Sequence, residues 1–325
     1  EYNTVDATLW YFEAIRAYQN ATGDNALLKQ LFPVLEEIVR WHRTGTRYGI
    51  AVDPADGLLR SGEPGVQLTW MDAKIDDWVV TPRTGKAVEI NALWFNALCA
   101  MAFFARRLGR PPDEWEGMAA HVKSGFTRFW NERAGYCYDV LGGPDGNDDA
   151  LRPNQILAVS LSESPLSPEQ QREVVDACAR YLLTSFGLRS LAPGYLRYQG
   201  RYVGGPRERD AAYHQGPAWG WLLGPFVLAH LRVYQDPRGA LAFLEPVMHH
   251  LADYGVGSIA EIFDGDPPFT PRGCIAQAWS VAETLRAWTE IAGGAGLTDT
   301  TGPKTSPRAP RRPPTRGRQR TRSQA

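Results

Sequence analysis

Residues 6–22 read DATLWYFEAIRAYQNAT, and residues 25–44 read NALLKQLFPVLEEIVRWHRT. In the first stretch Leu9, Phe12, Ile15 and Arg16 recur one turn apart, the spacing of a single helix face, and Gly23-Asp24 ends the run. In the second, Leu28, Leu31, Leu35, Ile38 and Trp41 share a face, and Pro33 is expected to kink the helix or shift its start. Two amphipathic helices joined by so short a turn lie antiparallel. The same reading extends along the chain. A polar loop rich in Gly, Asp and Pro (45–86) leads to predicted helices at 87–109 and 112–132. The loop 133–151 precedes helices at 153–162 and 168–185. The loop 186–211, with aromatics, glycines and room for a short strand pair, precedes helices at 213–235 and 237–254. The loop 255–272 precedes a last helix at 273–292.

Short turns join the helices within a pair, and long loops precede each pair. Leu9-Trp10-Tyr11 and Leu93-Trp94-Phe95 occupy similar places in successive pairs, and Gln215 to Trp219 and Gln277 to Trp279 echo them. Such regularity predicts an all-α ring of helical hairpins, an (α/α)6 barrel over residues 1–293, with all long loops at one end. Six hairpins need twelve helices and nine are predicted here. The barrel is therefore expected to be incomplete at its N-terminus by about three helices, in keeping with a chain that opens on Glu1 rather than Met.

Composition narrows the function classes. The chain has 325 residues, 43% of them apolar, with 11 Trp, 13 Tyr and 12 Phe, enough for a sizeable core. Eight Lys or Arg and no acid fall in residues 300–325. That leaves 27 basic against 36 acidic residues in 1–299, a net charge of −9 that does not suit a phosphate backbone. No nucleic-acid partner is expected for the body. Residues 294–325 read as a disordered, basic Arg/Pro tail. No uninterrupted apolar run reaches the ~20 residues of a membrane span, so no membrane partner is expected. Cys99, Cys137, Cys178 and Cys274 are scattered, which argues against a zinc site or disulfide framework.

Two loops carry carboxylates beside apolar residues: Leu68-Thr69-Trp70-Met71-Asp72-Ala73-Lys74 and Ser258-Ile259-Ala260-Glu261-Ile262-Phe263-Asp264-Gly265. Glycoside hydrolysis commonly needs two carboxyl groups, one to protonate the departing oxygen and one to activate water or attack carbon. A carboxyl beside Trp and Met loses hydration and stays protonated nearer neutral pH, which suits Asp72 to the acid role and leaves Glu261 for the base. Taken singly, an acid in a loop is more often a solvated turn or cap residue than a catalytic one. The starts of the presumed inner helices add aromatic platforms and polar edges of the kind sugars need. They are Tyr2-Asn3-Thr4-Val5-Asp6 with Trp10, Glu89-Ile90-Asn91 with Trp94, Arg152-Pro153-Asn154-Gln155, Tyr213-His214-Gln215-Gly216 with Trp219, and Gln277 with Trp279. His249 and His250 are adjacent and diverge on a helix, so no metal site and no cofactor are expected. The stretch Gly142 to Asp149 looks like a calcium loop but lacks the spacing of one.

At these residues the sequence resembles the C-terminal glucosidase domain of bacterial and archaeal glycogen debranching enzymes, distant relatives of the glucoamylases. The matching stretches are YNTVDATLW (2–10), TWMDAK (69–74), GKAVEINALWFNAL (85–98), RPNQILAVSL (152–161), YHQGPAWGWLLGPF (213–226), SIAEIFDG (258–265) and GCIAQAWSVAETLR (273–286). The resemblance implies an (α/α)6 barrel, a glycogen or branched α-glucan substrate, cleavage of α-1,6-linked glucose with inversion, and a cytoplasmic setting. It implies Asp72 as general acid and Glu261 as general base. It also implies a glucose pocket of Tyr2, Asp6, Trp10, Trp70, Glu89, His214, Trp219 and Gln277, to which Lys74 and Gln155 are added. The family's N-terminal β-rich domain and first barrel helices are not in this sequence, and the basic tail is not a family feature. Alternatives are a glucoamylase-like or trehalase-like hydrolase, a helical toroid that only binds carbohydrate, and a sugar isomerase, which would favour a His pair across the cavity.

Overall fold

The computed structural model describes residues 3–294 and is 51% helical. Tyr2 and the basic tail therefore lie outside the described residues, apart from Gly294 at the end of the last helix. The described helices are α1 (Ala7–Thr22), α2 (Asn25–Thr44), α3 (Val88–Arg107), α4 (Asp113–Phe126), α5 (Leu157–Ser160), α6 (Pro168–Tyr181), α7 (Pro206–Ala212), α8 (Leu223–Tyr234), α9 (Pro237–Ala242), α10 (Glu245–Asp253) and α11 (Ala278–Gly294).

The first hairpin shows why these residues make these elements. Gly23 adopts φ 68° and donates its N–H to the Gln19 carbonyl, which closes α1. The Asp24 carboxylate then accepts the Ala26 and Leu27 N–H groups at 2.9 and 3.0 Å and opens α2. That cap fixes the start of α2, and the helix continues through Pro33, so the expected shift of start does not occur. Ser167 and Gln170 open α6 with a reciprocal capping box.

Packing follows chain order. Helix α1 packs on α3, α3 on α5, α5 on α8 and α8 on α11, while α2, α4, α6 and α9 cover this row from outside. Helix α3 is long and apolar enough by composition to cross a membrane. Its most apolar stretch is 89% buried inside the protein, which makes it the core helix. Leu9 and Phe12 of α1, Trp94 and Phe104 of α3 and Phe226 of α8 are fully buried, each contributing about 1.5–3 kcal/mol. A groove of about 1110 Å³ runs between α1 and α11, past Trp10 and Glu13 on one side and Trp279 and Glu283 on the other.

The loops are more ordered than an all-α reading allows. They hold strands of two to four residues, and one sheet has four of them: Leu188–Arg189, Ala218–Trp219, Ile262–Phe263 and Pro271–Arg272, all antiparallel in that order. This sheet takes residues from predicted helices. The segment expected to begin a helix at 213 is a turn through Gly216, then the short strand Ala218–Trp219 and a 3-10 turn, Gly220–Leu222, and α8 begins only at Leu223. The segment 273–277 is likewise spent on the loop, and α11 begins at Ala278. The predicted helix 237–254 breaks at Phe243-Leu244 into α9 and α10. The predicted helix 153–162 is a 3-10 turn, Pro153–Ile156, followed by the single turn of α5. Helix α7 forms where a loop was predicted. The Gly142 to Asp149 stretch forms a tight hairpin.

Candidate active site

The acid-bearing segment is fixed from below. The indole Nε1 of Trp70 donates to Asn154 Oδ1 at 2.8 Å, and Asn154 Nδ2 donates to Asp139 Oδ1 at 2.7 Å. Asp139 is held in turn by Arg83, with Nε to Oδ2 at 2.8 Å. The Trp70 ring meets His214, Trp219 and Trp221 edge-on, with centroids 5.4, 5.2 and 5.2 Å apart. Met71 is buried. With Trp70 and Met71 locked, Asp72 is the next side chain free to face the open space. Its pKa is raised, first by lost hydration and then by the charges of Asp6 and Glu261.

The opposing segment is fixed by the four-stranded sheet. The Glu261 N–H donates to the Cys274 carbonyl at 3.0 Å, and the Glu261 carbonyl accepts Gly220 N–H at 3.1 Å. On its carboxylate, Oε2 accepts Cys274 N–H at 2.9 Å and Oε1 accepts Gln277 Nε2 at 3.1 Å. Gly273, at φ 66°, lets the chain turn this close: a Cβ there would stand 2.4 Å from Glu261 Oε2.

Asp72 and Glu261 line one cavity of about 570 Å³ together with Asp6, Trp10, Trp70, Trp219 and Gln277. Larger depressions exist, such as the α1–α11 groove and one of about 690 Å³ beside α10. Converging carboxyls, not size, single this one out. Asp6 is bonded by the Thr4 hydroxyl, and its desolvation raises its pKa against the pull of that bond. Trp219 stacks on His214 at 5.0 Å with planes 9° apart and donates its Nε1 to the Tyr213 carbonyl at 3.1 Å. A raised carboxyl and a hydrogen-bonded carboxylate that line one cavity with tryptophans are the groups needed to protonate one oxygen of a bound sugar and to take a proton from another.

Four residues assigned to the pocket from sequence are elsewhere. Glu89 is fully buried in a bidentate pair with Arg83, which also holds Asp139, so its charge is spent inside the core. Gln155 accepts Cys137 N–H at 2.9 Å through its side chain and is buried. His214 is fully buried behind Trp219, and desolvation, then the charges of Arg152 and Arg83, depress its pKa to about 3, so it is neutral. Lys74 is exposed and donates to the Gly65 carbonyl at 2.9 Å. Conversely, Asn3, Thr4, Thr69, Tyr213 and Trp279 line the cavity without having been assigned to it. Tyr213 and Trp279 sit inside the polar-aromatic clusters at the helix starts, which is the signal that points to them.

A family model described as amylo-alpha-1,6-glucosidase matches residues 1–286. The chain belongs to the amylo-alpha-1,6-glucosidase family. It is thus a glycoside-hydrolase domain. Among curated proteins, this member is 26% identical over 242 residues to the glycogen debranching enzyme of Saccharomyces cerevisiae, a match to 60% of this chain and 16% of that enzyme. The match thus spans about a sixth of its relative's length. Among solved structures, the mannosylglycerate hydrolase of Thermus thermophilus in complex with glucose superposes with TM-score 0.62 and 17% identity, over 88% of this chain and 74% of that one. A rhamnosidase of Bacillus sp. GL1 gives TM-score 0.60 and 15% identity, over 90% of this chain and 26% of that one. At these identities both show a shared helical glycosidase fold.

Proposed function

We propose that the domain removes α-1,6-linked glucose from branch points of glycogen or a related α-glucan, with inversion at the anomeric carbon. The observation that carries this reading is that Asp72, whose carboxyl is held protonated to higher pH, and the anchored Glu261 line one tryptophan-lined cavity. Asp72 gives its proton to the departing glycosidic oxygen. Glu261 takes a proton from the water that attacks the anomeric carbon. Asp6 and Gln277 meet sugar hydroxyls, and Trp10, Trp219 and Trp279 lie against the apolar ring faces. The succession of α1, α3, α5, α8 and α11, each on the next, supports an (α/α)6 toroid with this cavity at its loop end. The debranching relative supports a glucan as substrate. An isomerase is disfavoured because none of the described residues that line the cavity is a histidine. A binding-only toroid has no use for an acid and a base held to one cavity.

The test compares two substrates. Asp72→Asn should lower turnover of an α-1,6-glucoside by several orders of magnitude and spare α-glucosyl fluoride, whose leaving group needs little protonation. Glu261→Gln should abolish both. Equal loss of both substrates in Asp72→Asn would remove Asp72 from the acid role.

A further inference from the structure

Gln277 is tied to the Glu261 segment by its backbone and by its side chain. Its N–H donates to the Ile259 carbonyl at 2.9 Å, and Nε2 donates to Glu261 Oε1 at 3.1 Å. The other end of the same amide, Oε1, accepts the Ser280 hydroxyl at 2.8 Å. Ser280 stands in the first turn of α11 and is fully buried. Further along this helix Thr284 and Thr289 donate to the carbonyls four residues back, those of Ser280 and Leu285, at 2.9 and 2.8 Å. Ser280 donates instead to a side chain that lines the cavity. Gly220 leaves the hydroxyl its space, because a Cβ there would stand 2.9 Å from Ser280 Oγ.

We propose that Ser280 is a positioning residue for the base and acts through Gln277: its hydroxyl anchors the acceptor end of the amide, so that the donor end stays on Glu261. The role rests on the two-carboxylate reading above. An amide has a donor end and an acceptor end of nearly the same shape, and a half-turn about its last bond exchanges them. A carboxylate only accepts, so it needs the donor end. A hydroxyl donor on Oε1 and a carboxylate on Nε2 agree on one placement of the amide. Without the hydroxyl the amide is free to shift or turn. Glu261 is then left with the bond from Cys274 N–H to Oε2, about which the carboxylate can swing. A sugar hydroxyl donates as readily as it accepts, so a displaced amide can still meet one. Losing Ser280 therefore harms the placement of the base more than the binding of substrate. Ser280 exchanges no proton in the reaction, and the proton lost by the attacking water still goes to Glu261.

Ser280→Ala removes the hydroxyl and keeps a good helix former in α11. On isomaltose and on α-glucosyl fluoride alike, kcat should fall about 10-fold, the factor carried by one hydrogen bond to a charged group. KM and the dissociation constant for glucose should stay within about threefold, because the sugar contact tolerates either end of the amide. A double-mutant cycle with Gln277→Met separates positioning from packing. If Ser280 acts through the amide, adding Ser280→Ala to Gln277→Met lowers kcat by less than about twofold more. A hydroxyl that only supports α11 would lower the melting temperature, and its loss would cost the same in either background. Wild-type kcat in a folded Ser280→Ala protein, or losses that multiply in the double variant, overturns the proposal. Ser280→Cys keeps the shape with a weaker donor. Its kcat should lie between those of wild type and Ser280→Ala, and it takes the place of alanine in the cycle if Ser280→Ala does not fold. Glu261→Gln run alongside separates the two claims. If Glu261→Gln is inactive while Ser280→Ala is normal, only the serine proposal fails. An active Glu261→Gln takes the two-carboxylate reading down with it.

Discussion

Gly273→Ala tests whether the position of Glu261 matters to chemistry more than to folding. The added methyl would stand 2.4 Å from Glu261 Oε2 and 3.0 Å from Ile262 Cγ1, at a backbone φ of 66°. The left-handed conformation costs alanine about 1–2 kcal/mol, which lowers the melting temperature by a few degrees in a domain this size. An ordinary carbon–oxygen contact is about 3.3 Å, so the carboxylate must retreat by roughly 1 Å. It cannot retreat and keep both its bonds, to Cys274 N–H at 2.9 Å and to Gln277 at 3.1 Å. A base misplaced by about 1 Å costs on the order of 100-fold in rate. The variant should therefore stay folded, bind glucose, and lose about two orders of magnitude in kcat on an α-1,6-glucoside and on α-glucosyl fluoride alike. The assay is glucose release from both substrates beside a thermal melt. Wild-type kcat in a folded Gly273→Ala protein would refute the reasoning, because it would mean that Glu261 can move without consequence.

Glu261→Gln with added azide should turn over α-glucosyl fluoride to β-glucosyl azide, detected by NMR, and an α-azide would assign a different role to the residue. The charge of Asp6 is among the influences that raise the Asp72 pKa. Asp6→Asn should therefore lower that pKa, and the alkaline limb of kcat/KM against pH, where Asp72 loses its proton, should move to lower pH; a limb that stays in place or moves up counts against Asp72 as the acid. Arg83→Met leaves the buried Glu89 without its counter-charge and Asp139 with only Arg152, 3.8 Å away, and chemical denaturation should show a loss of about 3–5 kcal/mol. A neutral result there would return Glu89 to the list of residues available to substrate.

What could be read from sequence divides along physical lines. The helix stripes of α1 and α2 depend on local periodicity and local caps, so Leu9, Phe12, Leu28 and Leu35 were legible as core. Helix starts at 213 and 273 were misread because apolar residues there serve a sheet whose strands lie tens of residues apart: Trp219 sits opposite both Leu188 and Ile262. Within the site, Asp72 and Glu261 were legible because each carboxylate sits in an apolar stretch inside a polar loop. Glu89 looked the same by residue type. What separates it is Arg83, whose guanidinium reaches it from a loop that no periodicity describes. The family resemblance placed His214 in the pocket, yet its neighbour Tyr213 takes that place and the imidazole is turned behind Trp219. The turn that follows α7 decides which of the two neighbours reaches the cavity, and composition does not reveal it.

On the proposed mechanism Asp72 and Glu261 act from opposite faces of one sugar in a single displacement. The anomeric form of the first glucose released tests this most directly. Proton NMR during the opening turnovers on an α-1,6-glucoside, before mutarotation, should show β-glucose appearing first. α-Glucose as the initial product would mean a double displacement and would contradict the assignment of Glu261 as the base that activates water.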